Sequence, residues 1–145
     1  MENVVEKVEK KSMLGSHKST LDEKGRMNVP VKFRDALGDS FIISTRLSKK
    51  VKCLRIYTLA EWERFYNRLR SMPMEKFTNV MDVLMPEDVE VKQGRFLVPM
   101  ELRRHARLEG ELIIIGMGDT ANIWCREEYD RQSKDKMAQA VVTDL

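Results

Sequence analysis

The chain has 145 residues, 42% of them hydrophobic and 34% charged, and a formal net charge of +3, enough for one ordinary globular domain or two small units sharing a core. No apolar run approaches the roughly 20 residues of a membrane-spanning helix, and the N-terminus lacks the apolar centre of a signal peptide. Cys53 and Cys125 lie far apart with no Cys-x-x-Cys pair or clustered histidines, which argues against a metal site and for a reduced, cytoplasmic setting.

Residues 1–14 read as a short charged N-terminal extension. Ser16–Leu21, polar and rich in Ser and Thr, suits an exposed strand. Asp22-Glu23-Lys24-Gly25 is a turn, with Asp22 able to bond local amides and Gly25 free to take φ > 0. Arg26–Val29 alternates, placing Met27 and Val29 inward and Arg26 and Asn28 outward. Pro30 ends that strand and opens a short helix with Phe33 and Leu37 on its buried side and Gly38 at its end. Lys32 and Arg34 fall off the buried stripe.

Strands over Phe41–Ser44 and Val51–Tyr57 follow. Thr58-Leu59-Ala60-Glu61 has the form of a capping box, and the helix it starts runs to about Arg70 on a stripe of Trp62, Phe65 and Leu69. Phe77, Val80, Met81 and Leu84 predict a second helix over Pro73–Met85, packed between the two halves of the chain. A strand over Glu87–Val91, a turn at Lys92–Gly94, a strand over Arg95–Val98 and a helix from Pro99 to about Ala106 come next. Strands at Leu112–Ile115 and Ala121–Trp124 precede a polar helix from Glu127 to about Ala140, for which Tyr129 and Met137 are the expected anchors.

This order of elements occurs twice. Gly25-Arg26-x-x-Val29-Pro30-x-x-Phe33-Arg34 returns 69 positions later as Gly94-Arg95-x-x-Val98-Pro99-x-x-Leu102-Arg103, and Ile56-Tyr57-x-x-x-Glu61-Trp62 returns as Ile123-Trp124-x-x-x-Glu128-Tyr129. Two blocks recurring in one order mark a duplicated unit: residues 16–63 and 88–131, a helical connector at 64–87, and a C-terminal helix and tail at 132–145. Each copy is too small to bury a useful core alone. Two copies packed into one closed barrel would solve that and remove exposed sheet edges.

Charge follows the repeats. Residues 16–34 hold five Lys or Arg against two acids and residues 92–107 five against one, whereas residues 73–91 hold one against five. A basic footprint on a nearly neutral chain suits a nucleic-acid partner.

Leu21-Asp22-x-x-Gly25-Arg26-x-x-Val29-Pro30-x-x-Phe33-Arg34-x-x-Leu37-Gly38 closely resembles the AbrB-like swapped-hairpin DNA-binding module. The tandem arrangement, the Cys53-Leu54-x-Ile56-Tyr57-x-x-x-x-Trp62 block and the Met13-x-Gly15 start are similar to the MraZ family, over roughly residues 13–131. The resemblance implies a β-rich α+β fold, with two tandem AbrB-like repeats in one pseudo-dimeric swapped-hairpin β-barrel flanked by helices. It also implies a nucleoid-associated bacterial transcriptional regulator that binds double-stranded promoter repeats near the division and cell-wall gene cluster as a ring-like homo-oligomer. The family's Asp-x-x-x-Arg signature maps onto Asp22 and Arg26. Arg95 matches in the second copy, but Val91 stands where Asp would, and Val cannot accept the hydrogen bonds that Asp can. Glu90, one residue out of register, is the candidate replacement, and the copies are expected to contribute unequally.

Arg26 and Arg95 have two readings: contact with a phosphate or base edge, for which a planar guanidinium is well shaped, or a salt bridge within the module, such as Asp22 with Arg26. Asn28 shares the outward strand face. Lys18, Lys24, Lys32, Arg34, Arg103 and Arg104 together suit phosphate contacts, although each alone is an ordinary solvated charge. Gly25 and Gly94 read as structural turn residues, although a turn without a side chain also allows close backbone approach to a phosphate. Trp62 and Trp124 read as core or helix-packing residues, Cys53 and Cys125 as small buried hydrophobes, and the methionines as gap-fillers in cores and interfaces. No phosphate-binding Gly loop, nucleophile elbow or paired carboxylates point to an enzyme, and no cofactor is implied. Two alternatives stand beside a regulator. One is an AbrB-like antitoxin, against which the long helices and lack of a disordered inhibitory tail count; the other is an assembly scaffold that binds no DNA.

Overall fold

The computed structural model describes residues 12–139. The rest of the expected N-terminal extension, through residue 11, and the tail from residue 140 lie outside the described residues. Among the described residues, eight strands form two sheets. In chain order they are β1 (Ser16–Ser19), β2 (Arg26–Asn28), β3 (Ser40–Ser44), β4 (Leu54–Tyr57), β5 (Glu87–Glu90), β6 (Arg95–Leu97), β7 (Leu112–Gly116) and β8 (Thr120–Cys125). A 3-10 turn over Val31–Phe33 runs into α1 (Arg34–Leu37). The other helices are α2 (Leu59–Arg70), α3 (Met74–Leu84), α4 (Met100–His105) and α5 (Arg126–Gln139).

The six-stranded sheet has the order β1-β7-β8-β4-β3-β5, and β2 and β6 form a separate ribbon. Exchanging the two copies reads that order backwards onto itself. β1 of the first copy leaves its own neighbours to pair with β7 of the second, and β5 of the second pairs with β3 of the first. β2 pairs with β6, and β4 with β8. The pseudo-twofold therefore runs through the Met27/Phe96 pair in the ribbon and the Arg55/Asn122 pair in the sheet. The Arg55 Nε donates to Asn122 Oδ1 at 3.1 Å. These are the swapped hairpins that the duplication and the resemblance imply, in a β-rich α+β fold.

The swap follows from burial. One core takes Met27, Val29, Phe33, Phe41, Ile43, Leu54 and Ile56 from the first copy and Phe96, Val98, Leu102, Leu112, Ile114 and Ile123 from the second, all 4% exposed or less. Either set alone would leave an apolar face in water, at about 1.5–3 kcal/mol per large side chain. Phe41 and Phe96 meet edge-to-face across the copies, with ring centroids 5.0 Å apart. The sheet and ribbon enclose this core together, with β1 and β5 as the outer strands of the sheet.

Helices α2 and α3 form a hairpin beside the sheet. Thr58 Oγ1 accepts the Glu61 amide at 3.1 Å, so half of the capping box forms, while the Glu61 carboxylate is held by Arg64 at 2.6 Å. Leu69 is buried, but Trp62 and Phe65 are only half-buried, in an aromatic group with Tyr57, Tyr66 and Phe77. The expected stripe of α3 faces inward, with Leu84 buried. This helix packs on α2 and does not separate the halves, because the strands interleave directly. A left-handed Met85 (φ 47°) ends it ahead of Pro86.

Several local expectations change. Met13 is fully buried in the shared core. Cys53 and Trp124 are buried as expected, whereas Cys125 is half-exposed. Met74, Met100, Met117 and Met137 are exposed on this chain and fill no gap in its core. Helix α5 is held by Tyr129 against Trp124, by Lys136 above the Trp124 ring at 4.3 Å, and by Gln132 donating to the Lys50 carbonyl at 2.7 Å. Met137, at 74% exposed, contributes no anchor.

Candidate nucleic-acid interface

The β2–β6 ribbon presents a small outward face. Alternation along each strand buries Met27 and Phe96 and turns Arg26, Asn28, Arg95 and Leu97 outward. The register sets Arg26 opposite Leu97 and Asn28 opposite Arg95. Both arginine side chains keep 37% of their surface exposed. The two positions singled out from the repeats thus reach one surface, diagonally across the two strands, although they are 69 residues apart in the chain.

The loop before β2 is organised by Asp22. Its Oδ1 accepts the amides of Lys24 and Arg26, each at 2.9 Å, and its Oδ2 accepts the Arg26 Nε at 2.8 Å. The salt bridge expected between Asp22 and Arg26 forms, and the Arg26 side chain remains accessible. The Arg26 amide, helped by the Arg26 guanidinium and the Lys24 amide, holds the Asp22 carboxyl below the ordinary Asp value against desolvation, which is second in size only to the Arg26 amide. Asp22 Oδ2 also lies 3.5 Å from an Arg95 Nη. Glu90 does not replace the missing Asp of the second copy. It pairs in β5 with Ser40, and its carboxylate lies 3.7 Å from the exposed Lys92.

The loop before β6 solves the same geometry without a carboxylate. Lys92 and Arg95 exchange backbone hydrogen bonds, at 2.8 and 3.1 Å, around Gln93 and Gly94, which have φ of 54° and 75°. Positive φ at both central residues is the tight hairpin turn that suits strand twist, so no Asp is needed. The first loop is one residue longer, with Asp22 and Arg26 as its closing pair and only Gly25 at positive φ.

Gly25 and Gly94 have a second role. The Arg103 guanidinium lies so close to Gly25 that a Cβ there would stand 2.0 Å from its Nη2, and the Arg34 guanidinium lies 3.0 Å from the corresponding point on Gly94. Arg103 donates to the Val98 carbonyl at 3.1 Å and Arg34 to that of Val29 at 3.4 Å. Val29 and Val98 in turn donate their amides to the Gly94 and Gly25 carbonyls. The last Arg of each motif is thus seated against the glycine turn of the other copy. Nothing local in the sequence signals this contact.

Of the remaining candidates, Lys24 is exposed at the first turn and Lys32 at the start of the following helical turn. Arg104 is exposed, with Glu101 at 3.8 Å. Lys18 lies on β1 and lines a groove with Ser19, Thr20 and Asn28 beside the ribbon. Across the ribbon, a second groove is lined by Arg26, Arg95, Leu97, Lys92 and Gln93 together with Asp88 and Glu90. The acids between the repeats are therefore not all remote from the basic motifs, because swapping brings β5 alongside them. Sequence reasoning passed over Lys92 and Gln93 at the second turn and the 52% exposed Leu97; strand alternation from Arg95 was the signal available for Leu97. Among the described residues, no three His, Cys, Asp or Glu side chains gather as metal ligands would, and no helix is long and apolar enough to cross a membrane.

A duplicated swapped-hairpin fold with two arginine-bearing turns on one ribbon defines the class as a tandem AbrB-like module. Comparison with known proteins gives the family. The family model described as "MraZ protein, putative antitoxin-like" matches residues 13–83 and 92–143. Among curated relatives named "Transcriptional regulator MraZ", that of Caldanaerobacter subterraneus subsp. tengcongensis is 35% identical over 127 residues, covering 84% of this chain and 87% of the relative. That of Pelotomaculum thermopropionicum is 33% identical over 140 residues, covering 89% and 94%. That of Alkaliphilus oremlandii is 36% identical over 127 residues, covering 84% and 87%. The chain belongs to the MraZ family.

Proposed function

We propose that this protein is a transcription regulator that binds specific double-stranded DNA through the β2–β6 ribbon, with residues 16–63 and 88–131 as the two contributing copies. The carrying observation is the convergence of Arg26, Asn28 and Arg95 on one exposed ribbon face. A two-stranded ribbon fits the major groove, where Arg suits guanine O6 and N7 and Asn suits adenine. Lys18, Lys24, Lys32 and Arg104, with Lys92, flank that face and supply phosphate contacts; these set affinity and its salt dependence. Arg34 and Arg103 add charge at the rim while seating the turns.

One ribbon covers few base pairs, so a ring-like homo-oligomer engaging repeated promoter elements would gain affinity through effective concentration. The division and cell-wall gene cluster is the target the family resemblance favours, with a cytoplasmic, nucleoid-associated location. A mobility shift on the DNA upstream of the protein's own gene, at two salt concentrations, tests the reading. Arg26→Ala should abolish most specific binding, while Lys32→Ala weakens all sequences evenly and lowers the salt slope by about one. Unchanged operator affinity in Arg26→Ala would remove the ribbon from the interface. The family description favours antitoxin activity as a second reading, which predicts a protein partner that stays bound when DNA is stripped away by high salt.

A further inference from the structure

The ribbon's outward face consists of two cross-strand pairs, Arg95 with Asn28 and Arg26 with Leu97. The pseudo-twofold that exchanges Arg26 with Arg95 also exchanges Asn28 with Leu97. A polar amide on one side therefore corresponds to an apolar isobutyl group on the other. Leu97 is 52% exposed, while its strand neighbours Phe96 and Val98 are 2% and 0% exposed. The flanks differ as well: Lys18 and Glu111 share the groove on the Asn28 side, whereas Asp88 and Glu90 share that on the Leu97 side with Lys92.

We infer that Leu97 is a specificity-determining residue that packs on the 5-methyl group of a thymine, so that the ribbon reads a non-palindromic element from a pseudo-symmetric frame. This rests on the ribbon being the DNA-contacting face. In the major groove thymine alone carries a methyl group, whereas cytosine presents an amino donor there. Leu97 can satisfy the first and would leave the second unpaired. Asn28 has the opposite preference, because its amide pairs with adenine N6 and N7. The pseudo-twofold sets both residues over the same strand position of a palindrome, where an adenine edge suits Asn28 and a thymine methyl suits Leu97, so one base there cannot suit both.

The test begins with selection of bound elements from a random duplex pool by the wild-type protein, followed by replacement of each thymine with deoxyuridine, which lacks only the methyl group. One thymine should prove sensitive, its replacement weakening wild-type binding about three- to fivefold, the effect of one buried methyl. Leu97→Ala should lose that sensitivity, and Leu97→Asn should select a more nearly palindromic element. The inference is overturned if no thymine is sensitive, or if Leu97→Ala keeps the full sensitivity. It is also overturned if Leu97→Ala alters sedimentation while the methyl effect persists, which would assign Leu97 to a protein contact. Failure of the wild type to enrich any element would sink the DNA-binding reading itself, and this inference with it.

Discussion

Asp22 Oδ2 stands 3.5 Å from the Arg95 guanidinium, across the pseudo-twofold and between different copies of the motif, while holding Arg26 of its own copy at 2.8 Å. One carboxylate orients both arginines. The second copy has Val91 where the first has Asp22 and draws on that acid, which couples the two halves of the ribbon face.

Asp22→Asn separates this bracing from the turn. Asparagine keeps an acceptor for the Lys24 and Arg26 amides but loses the charge that pairs with the guanidiniums. Removing an acid also raises general attraction to phosphate. The expected outcome is therefore a roughly tenfold loss in the ratio of specific to non-specific affinity, with non-specific affinity unchanged or higher. Parallel titrations on selected and scrambled duplexes would show it, and an unchanged ratio would mean the brace does not orient the arginines for DNA.

The glycine turns should fail unequally. Gly25→Ala meets both a positive φ of 84° and the Arg103 guanidinium, and should cost about 2–3 kcal/mol; Gly94→Ala, with φ 75° and more space beside Arg34, should cost about 1–2 kcal/mol. Arg103→Ala in the Gly25→Ala background should recover the steric part and leave the backbone strain. Urea denaturation of the wild type and these three variants measures this.

Acid should release the first turn before the second. The Asp22 carboxyl is held below its ordinary range, chiefly by the Arg26 amide, so its contribution is complete above the unfolded value of about 3.9. It is lost as pH falls through the lower folded value. From pH 7 to 5 the Arg26 amide environment should not change. Below about pH 4 its NMR shift should move with a titration that Asp22→Asn abolishes, while the Gln93 amide stays still.

Phe96 ties the ribbon to the sheet through Phe41. Phe96→Ala should destabilise the whole chain by about 3–5 kcal/mol. It should do so in one cooperative transition, because the core draws on both copies. Two separable calorimetric transitions would contradict a single shared core.

Much of this was legible from the chain. The repeat of Gly25-Arg26 at Gly94-Arg95 announced the duplication, and strand alternation correctly pointed Arg26 and Asn28 outward. Pro30, Thr58 and Pro86 marked element ends through local chemistry that needs no partner. Less visible were the half-exposed Trp62 and Phe65 and the surface methionines, because helical periodicity fixes a face without saying how much protein covers it. The role of Arg34 and Arg103 was hidden for a related reason: each is seated on a turn belonging to the other copy, and no local spacing encodes such a contact.

The sequence by itself determined the unit: a turn presenting Arg, a short strand, a Pro stop and a short helix, written twice, since dihedral preference and alternation act over a few residues. Only the tertiary structure decided how the copies share parts. Burial drove β1 and β5 to exchange partners and set Arg26 opposite Leu97. It also carried the acids of β5 beside the basic ribbon and delivered Asp22 to Arg95. These relationships arise from one core that neither copy can close alone.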